Sequence, residues 1–92
     1  MSEPSKNQYL ELASEIIQKQ IAILGPDIAV MKAQQVEGLK VDPKGKVVDI
    51  TGNEQEAIQQ LIDKYIQLSG EIVKNILDPV FAKYPTINVK IN

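Results

Sequence analysis

The segment GLKVDPKGK, residues 38–46, carries the glycines and the lysine that a phosphate-binding loop requires. Such a loop, G-x-x-x-x-G-K-[ST], cradles phosphates with backbone N–H groups, and its hydroxyl reaches magnesium. Here six residues separate Gly38 from Gly45, and Val47 stands where the hydroxyl is needed. The flanking residues also alternate in polarity, which predicts a strand on each side rather than a strand followed by a helix. We interpret the segment as a hairpin turn.

A second oxygen-rich segment has the spacing that begins a calcium loop. Asp49, Thr51 and Asn53 supply oxygens at alternate positions. A calcium loop then needs glycine for its sharp turn and a bidentate glutamate at its end. Glu54 and Gln60 occupy those two positions. We therefore predict the end of a strand followed by a helix cap, and no metal site.

The remaining polar side chains do not combine into a predicted active site. Glu11 and Glu15 lie one helical turn apart and could form a carboxylate pair, but charges on the outer face of a helix are ordinary. Ser14 and Ser69 have no histidine to activate them, because the chain contains none. The tyrosines suit the margin of a core, and Met31 is predicted to be core by its helical spacing. No catalytic residue, cofactor or metal is predicted.

Composition narrows the function classes further. The chain has 92 residues, a net charge of −2, ten lysines, no arginine, no histidine and no cysteine. Its length predicts one domain, residues 1–92, with one modest core. The scattered lysines and missing arginines argue against nucleic-acid binding. We expect no membrane span, a cytoplasmic location and no enzymatic activity.

Two helices are predicted in the first part of the chain. Ser5 with Gln8 forms a capping box that opens the first helix. Gly25 and Pro26 should end it, because proline disfavours helical geometry in the residue before it. Pro26 suits the first position of the second helix, and Gly38 is placed to end that helix.

A β-hairpin follows. Asp42, Pro43 and Gly45 suit successive positions of a type I turn and the left-handed residue after it. The C-terminal residues 86–92 alternate apolar and polar side chains, which predicts a third strand; a frayed terminus is the alternative.

The longest predicted element is a helix over residues 54–77, capped by Asn53 and Glu56. It would measure about 36 Å, more than the diameter of roughly 32 Å expected for a domain of this size. Either Gly70 bends it over its own core, or part of its apolar face packs on another chain. We expect self-association, with a break after the helix at Asp78 and Pro79. The predicted interface is Tyr65, Leu68, Ser69, Gly70, Ile72, Val73 and Ile76.

One segment resembles a known pattern. The segment ILGPDIAVMKAQQV, residues 23–36, looks like the Ile-Gly-Pro-Ile-Ala opening of short helical segments at the C-terminal ends of some bacterial signalling proteins, kinases among them. The resemblance covers about fifteen residues, is carried by the Gly-Pro helix start, and does not extend to the hairpin. It implies an accessory or output module in signalling, without catalysis, and brings no site residues with it.

These observations predict a small, helix-dominated α+β domain with two N-terminal helices, a hairpin, a long helix and a possible third strand. The leading function hypothesis is a non-enzymatic interaction module that forms a homodimer through the long helix and binds a protein partner. The alternative is a carrier of a small molecule or lipid, with a pocket between the helices and the sheet.

Overall fold

The computed structural model describes residues 5–87 and 89, which form four helices and one antiparallel β-hairpin. In chain order the elements are α1 (Lys6–Leu24), α2 (Pro26–Gln34), β1 (Leu39–Val41), β2 (Val47–Ile50), α3 (Glu54–Ser69) and α4 (Glu71–Phe81). The helix-dominated α+β class predicted from the sequence is confirmed.

The residues that were predicted to begin and end α1 do so in the structure. The Ser5 hydroxyl accepts a hydrogen bond from the Gln8 backbone N–H at 3.2 Å, and the Gln8 side chain accepts one from the Ser5 N–H at 3.1 Å. This reciprocal pair satisfies two N–H groups at the start of the helix. Gly25 ends α1 with φ 86°, and Pro26 begins α2 directly afterwards.

The second helix is shorter than predicted. It ends at Gln34, and residues 35–37 form a turn that buries Val36. Gly38 does not end the helix; it leads into the hairpin with φ 90°, and its carbonyl accepts from the Thr51 N–H at 2.8 Å. A Cβ on Gly38 would lie 2.6 Å from the Thr51 carbonyl oxygen. Close approach of two backbones therefore requires this glycine.

The hairpin forms where it was predicted. The paired positions are Leu39 with Ile50, Lys40 with Asp49 and Val41 with Val47, and the register shifts by one residue between the last two pairs. Such an irregularity increases the local twist and bends the strand. The hairpin packs its turn region against α1.

The single long helix predicted over residues 54–77 is wrong. Gly70, with φ 62° and ψ −135°, separates α3 from α4, so the chain takes the bend that was the alternative to self-association. The break predicted at Asp78 and Pro79 is also wrong, because α4 runs through Pro79 to Phe81. Proline removes one hydrogen bond, to the carbonyl four residues earlier. That carbonyl belongs to Asn75, which is exposed, so water can replace the lost bond.

The predicted third strand falls largely outside the described residues, which exclude residues 88 and 90–92. Thr86, Ile87 and Val89 are described and are not in a strand. Ile87 is buried and Val89 packs at the edge of the core. The strand therefore stays a prediction for the residues beyond them.

The helices pack around a single core. The Tyr9 hydroxyl donates to the Gln55 side chain at 3.4 Å, so α1 and α3 begin side by side. The segment after α4 contacts Glu15 in the middle of α1, so α4 returns along the same helix. The largest fully buried apolar side chains are Leu12, Ile16, Ile17, Ile58, Leu61, Ile62, Tyr65 and Leu77.

Candidate functional site

The segment that shares residues with a phosphate-binding loop has its backbone donors already engaged. One carboxylate oxygen of Asp42 accepts from the Lys44 and Lys46 N–H groups, each at 2.9 Å. Gly45 has φ 90° and is buried against α1, where a Cβ would lie 2.9 Å from the Ile21 Cδ1. A phosphate cradle presents its N–H groups to the ligand. Here the side chain of Asp42 takes that place, and the segment closes a hairpin.

The oxygens with calcium-loop spacing also have local partners. Asp49 forms an ion pair with Lys6 at 2.6 Å, which with the Ile50 N–H lowers the pKa of its carboxyl. The Thr51 hydroxyl donates to the Gly38 carbonyl at 3.4 Å. Asn53 caps α3 by accepting from the Glu56 N–H at 3.0 Å. These residues fasten the hairpin and start a helix, as predicted for this segment.

The two carboxylates of α1 face the C-terminal segment and a groove. One oxygen of Glu15 pairs with Lys83 and the other accepts from the Tyr84 hydroxyl, both at 3.1 Å. Burial, with the neighbouring Glu15 carboxylate, raises the pKa of Tyr84 to about 12. Glu11 lies beside Glu15 on the groove wall. Glu15 therefore anchors the chain after α4.

The groove lies between the N-terminal half of α1 and β2, with a volume of about 750 Å³. Ser14 and Gln18 bridge its floor, since the Ser14 hydroxyl accepts from the Val47 N–H at 2.9 Å and the Gln18 amide donates to the Lys44 carbonyl at 3.0 Å. The lining residues are Asn7, Leu10, Glu11, Ser14, Glu15, Gln18, Lys46, Val47 and Val48. Apolar walls with a few polar groups at this volume suit a small ligand.

The predicted interface residues separate into a buried set and an exposed set. Tyr65 and Val73 are fully buried in the core of their own chain, and Ile76 packs at its edge. The Tyr65 hydroxyl donates to the Ala29 carbonyl of α2 at 2.7 Å. Burial raises the pKa of Tyr65. In this conformation Tyr65 and Val73 cannot meet a partner at the surface.

The exposed set surrounds the bend between α3 and α4. Leu68 is 44% exposed and Ile72 is 54% exposed, one on each side of Gly70. Ser69 completes the bend, and its hydroxyl oxygen is buried without a hydrogen-bond partner among the described residues.

The bend between α1 and α2 carries a matching set of apolar side chains. Ile23 is 37% exposed before Gly25, and Ile28 is 44% exposed after it. Met31, predicted to be core, is 48% exposed; its helical spacing is correct, but α2 buries the side of Ala29 and Ala33 instead. We call Ile23, Ile28, Met31, Leu68 and Ile72 the corner surface.

The two bends belong to the same end of the molecule. Tyr65 lies one turn before the end of α3, and Ala29 lies in the first turn of α2, so their hydrogen bond joins the two corners. Of the six large apolar side chains that are exposed in the described part of the chain, five belong to the corner surface, and Val48 is the sixth. Sequence periodicity missed this grouping because it depends on which helices pack together.

One buried polar residue was not singled out by the sequence. Gln20 of α1 is fully buried, and neither its amide nitrogen nor its amide oxygen has a hydrogen-bond partner within the described residues. An unpaired buried amide costs stability. Helical spacing places Gln20 on the face that carries Ala13 and Ile16, where an apolar residue is expected.

No family model, no curated protein and no solved structure matches the chain. No helix in the described part of the chain is long and apolar enough to cross a membrane.

Proposed function

We propose that this protein is a non-enzymatic interaction module that forms a homodimer through the corner surface, in the cytoplasm. The observation that carries the proposal is that five of the six exposed large apolar side chains in the described part of the chain lie within six residues of Gly25 or Gly70, the two bends that the Tyr65–Ala29 hydrogen bond joins. Single exposed apolar side chains are normal, whereas a contiguous group of a few hundred Å² marks an interaction site.

The size of the corner surface suits pairing with a second copy. A standard interface buries about 800 Å² on each partner, and roughly 60% of that area is apolar. Five side chains exposed by 37–54% supply most of such an apolar centre. Two-fold pairing is the commonest arrangement of homo-oligomers and places the same surface against itself.

The charges around the corner surface are compatible with self-pairing. Exposed Asp27 and Glu71 lie in the first turns of α2 and α4, and Lys32 and Lys74 follow on the same helices. Because both signs are present, a two-fold arrangement can place acids opposite lysines. Such a rim favours one register and excludes others.

The test is sedimentation over low to high micromolar concentrations, with a matched pair of variants. Wild type should reach twice the 10.2 kDa chain mass. Ile72→Glu should weaken the dimer about tenfold or more, since it buries a charge in the apolar centre. Val48→Glu is the control, because Val48 is also 54% exposed but lies on β2. A monomer throughout, or equal weakening by both variants, would refute the proposal.

The groove between α1 and β2 supports a second candidate function, that of a small-molecule carrier. Its volume of about 750 Å³ and its apolar Leu10, Val47 and Val48 would accept a small amphipathic molecule, as a carrier requires. Native mass spectrometry of freshly purified protein should then detect a non-covalent adduct. Val48→Trp should fill the groove and remove the adduct, whereas Ile72→Trp should not. A bare chain mass under gentle conditions would count against a carrier.

A further inference from the structure

The bend at Gly70 depends on the backbone conformation of a glycine, and no close packing by neighbouring side chains makes that glycine necessary. Its φ of 62° and ψ of −135° lie where only glycine is found readily. A Cβ built on Gly70 would meet nothing within 4 Å, so the glycine is not there to allow close packing. Gly70 is therefore a point where the chain direction can change.

The bend costs α4 the hydrogen bonds of a continuous helix. No side chain caps the start of α4, whereas Ser5 caps α1 and Asn53 caps α3. If the helix continued through Gly70, the N–H groups of Glu71 and Ile72 would bond to the carbonyls of residues 67 and 68. In the bent state α3 ends at Ser69 and α4 begins at Glu71, so these two bonds belong to neither helix.

Apolar burial holds α4 itself in the bent state, beside the Glu15 contacts that anchor the segment after it. Val73, Leu77 and Val80 of α4 are buried in the core. The Ser69 hydroxyl, in contrast, is buried without a partner among the described residues. Apolar burial has no directional requirement. The same burial can therefore be supplied by the core of another copy.

A straightened α3–α4 helix cannot stay within its own domain. It would contain 16 residues of α3, Gly70 and 11 residues of α4, about 42 Å in all. The longest dimension of the molecule is 37 Å. Straightening would carry α4 away from α1 and expose Val73, Leu77 and Val80 together with the core they cover.

We infer that α4 is exchanged between two copies of the chain, with Gly70 as the hinge, so that each α4 packs on the α1 of its partner. The inference rests on the proposed self-association but assigns it a different contact. Exchange recreates every contact of α4 with the core and restores the helical hydrogen bonds at the bend. It also places Val73, which is buried in the monomer, and the partly buried Ile76 in contact with the partner.

Two glycine variants test the hinge. Gly70→Ala penalises the bent conformation and favours continuous helix, so the dimer association constant should rise by about a hundredfold or more. Gly25→Ala is the matched control: Gly25 also has positive φ and open space at Cβ, but Pro26 opposes straightening. It should leave the monomer–dimer balance as in wild type. A Gly70→Ala chain that remains monomeric would overturn the inference.

Cross-linking identifies which chain supplies α4, and it needs no hinge variant. The chain contains no cysteine, so introduced cysteines are unique. Glu15→Cys and Lys83→Cys are placed in separate chains, because these side chains touch in the structure, at 3.1 Å. After the two chains are unfolded and refolded together at high micromolar concentration, a short bismaleimide should give a product of two chains. Either variant alone should not give it.

The outcomes separate this inference from the proposed function. A dimer that cross-links and survives Ile72→Glu supports exchange and excludes pairing by the corner surface. A dimer in which the Glu15→Cys and Lys83→Cys chains do not cross-link overturns exchange and leaves corner pairing in place. A wild-type chain that stays monomeric, with variants that never cross-link, overturns both.

Discussion

The hairpin and the two corners of this molecule are held in place in different ways. At the hairpin, side chains of α1 bond directly to the strands and the turn: Ser14 to the Val47 N–H, Gln18 to the Lys44 carbonyl, and Lys6 to Asp49. At the corners, the polar contact found between helices is the Tyr65–Ala29 hydrogen bond, and the Ser69 hydroxyl oxygen is buried without a partner in the described structure. Directional bonds select one arrangement, whereas apolar packing accepts several.

Four of the five glycines follow the same division. A Cβ on Gly38 or Gly45 of the hairpin would lie 3.0 Å or less from backbone or side-chain atoms, whereas a Cβ on Gly25 or Gly70 of the corners would meet nothing within 4 Å. The first pair serves close packing, and the second pair serves only a change of chain direction. Pro26 then fixes one corner, because it lacks an N–H and restricts Gly25, and no proline fixes the other.

The largest expected effect on stability belongs to the hairpin. Gly38→Ala should lower the free energy of unfolding by about 3 kcal/mol or more, because it combines positive-φ strain with a 2.6 Å contact to the Thr51 carbonyl oxygen. Gly52→Ala is the control, with φ 77° and no neighbour within 4 Å, and should cost about 1 kcal/mol. Urea denaturation measures both. Equal losses would show that close approach contributes nothing.

The sequence predicted those parts of the fold that local chemistry determines. The Ser5–Gln8 capping box, the Gly25–Pro26 corner and the turn at Asp42 each act through residues a few positions apart. The bend at Gly70 was only the alternative to a straight, self-associating helix, because helical periodicity continues through it and only tertiary packing selects it.

The candidate sites were harder to predict than the fold. The groove needs α1 beside β2, and the corner surface needs α2 beside α3. Neither of these contacts between elements can be predicted from the spacing of residues along the chain. The periodicity that assigned Met31 to the core was real, but it could not show which face of α2 another helix would cover.

The next effect on stability has the opposite sign and comes from the buried Gln20 of α1. Gln20→Leu should raise the free energy of unfolding by about 2 kcal/mol, because it removes two buried polar atoms that lack partners in the described structure. Gln18→Leu, two residues earlier in α1, should lower it by about 1 kcal/mol, because the bond to the Lys44 carbonyl is lost. Denaturation curves of the two variants, each compared with wild type, test whether the free energy of unfolding rises or falls. A loss of stability in Gln20→Leu would mean that its amide is satisfied in solution.

A smaller loss of stability is expected when the Tyr65–Ala29 hydrogen bond, which joins the two corners, is removed. Tyr65→Phe should cost about 1 kcal/mol, because the Ala29 carbonyl loses the phenol donor at 2.7 Å while the ring stays packed. Hydrogen exchange should also become faster in the first turn of α2, next to Ala29, and stay unchanged in β1 and β2. Equal acceleration of exchange in the hairpin would show that the hairpin and the corners open together.

The smallest expected effect on stability concerns the ion pair that joins the start of α1 to the hairpin. Lys6 and Asp49 form an ion pair at 2.6 Å near the start of α1. The Lys6 ammonium, and secondarily the Ile50 N–H, hold the pKa of the Asp49 carboxyl below its usual value. A lowered folded-state pKa means that the contribution is present above the ordinary carboxyl pKa and is lost as pH falls through the lowered one. Screening by solvent keeps its share of stability slight.

Carbon-detected NMR titration of the Asp49 carboxyl measures this contribution directly. In Lys6→Ala the pKa should move up, but not fully to its ordinary value, because the Ile50 N–H remains in place. Lys44→Ala, at the exposed turn of the same hairpin, should leave the Asp49 pKa where it is. High salt should shrink the difference between wild type and Lys6→Ala, since the pair is exposed. An Asp49 pKa that ignores Lys6→Ala would remove this ion pair from the contacts that fasten the hairpin to α1, and would leave Ser14 and Gln18 to hold it.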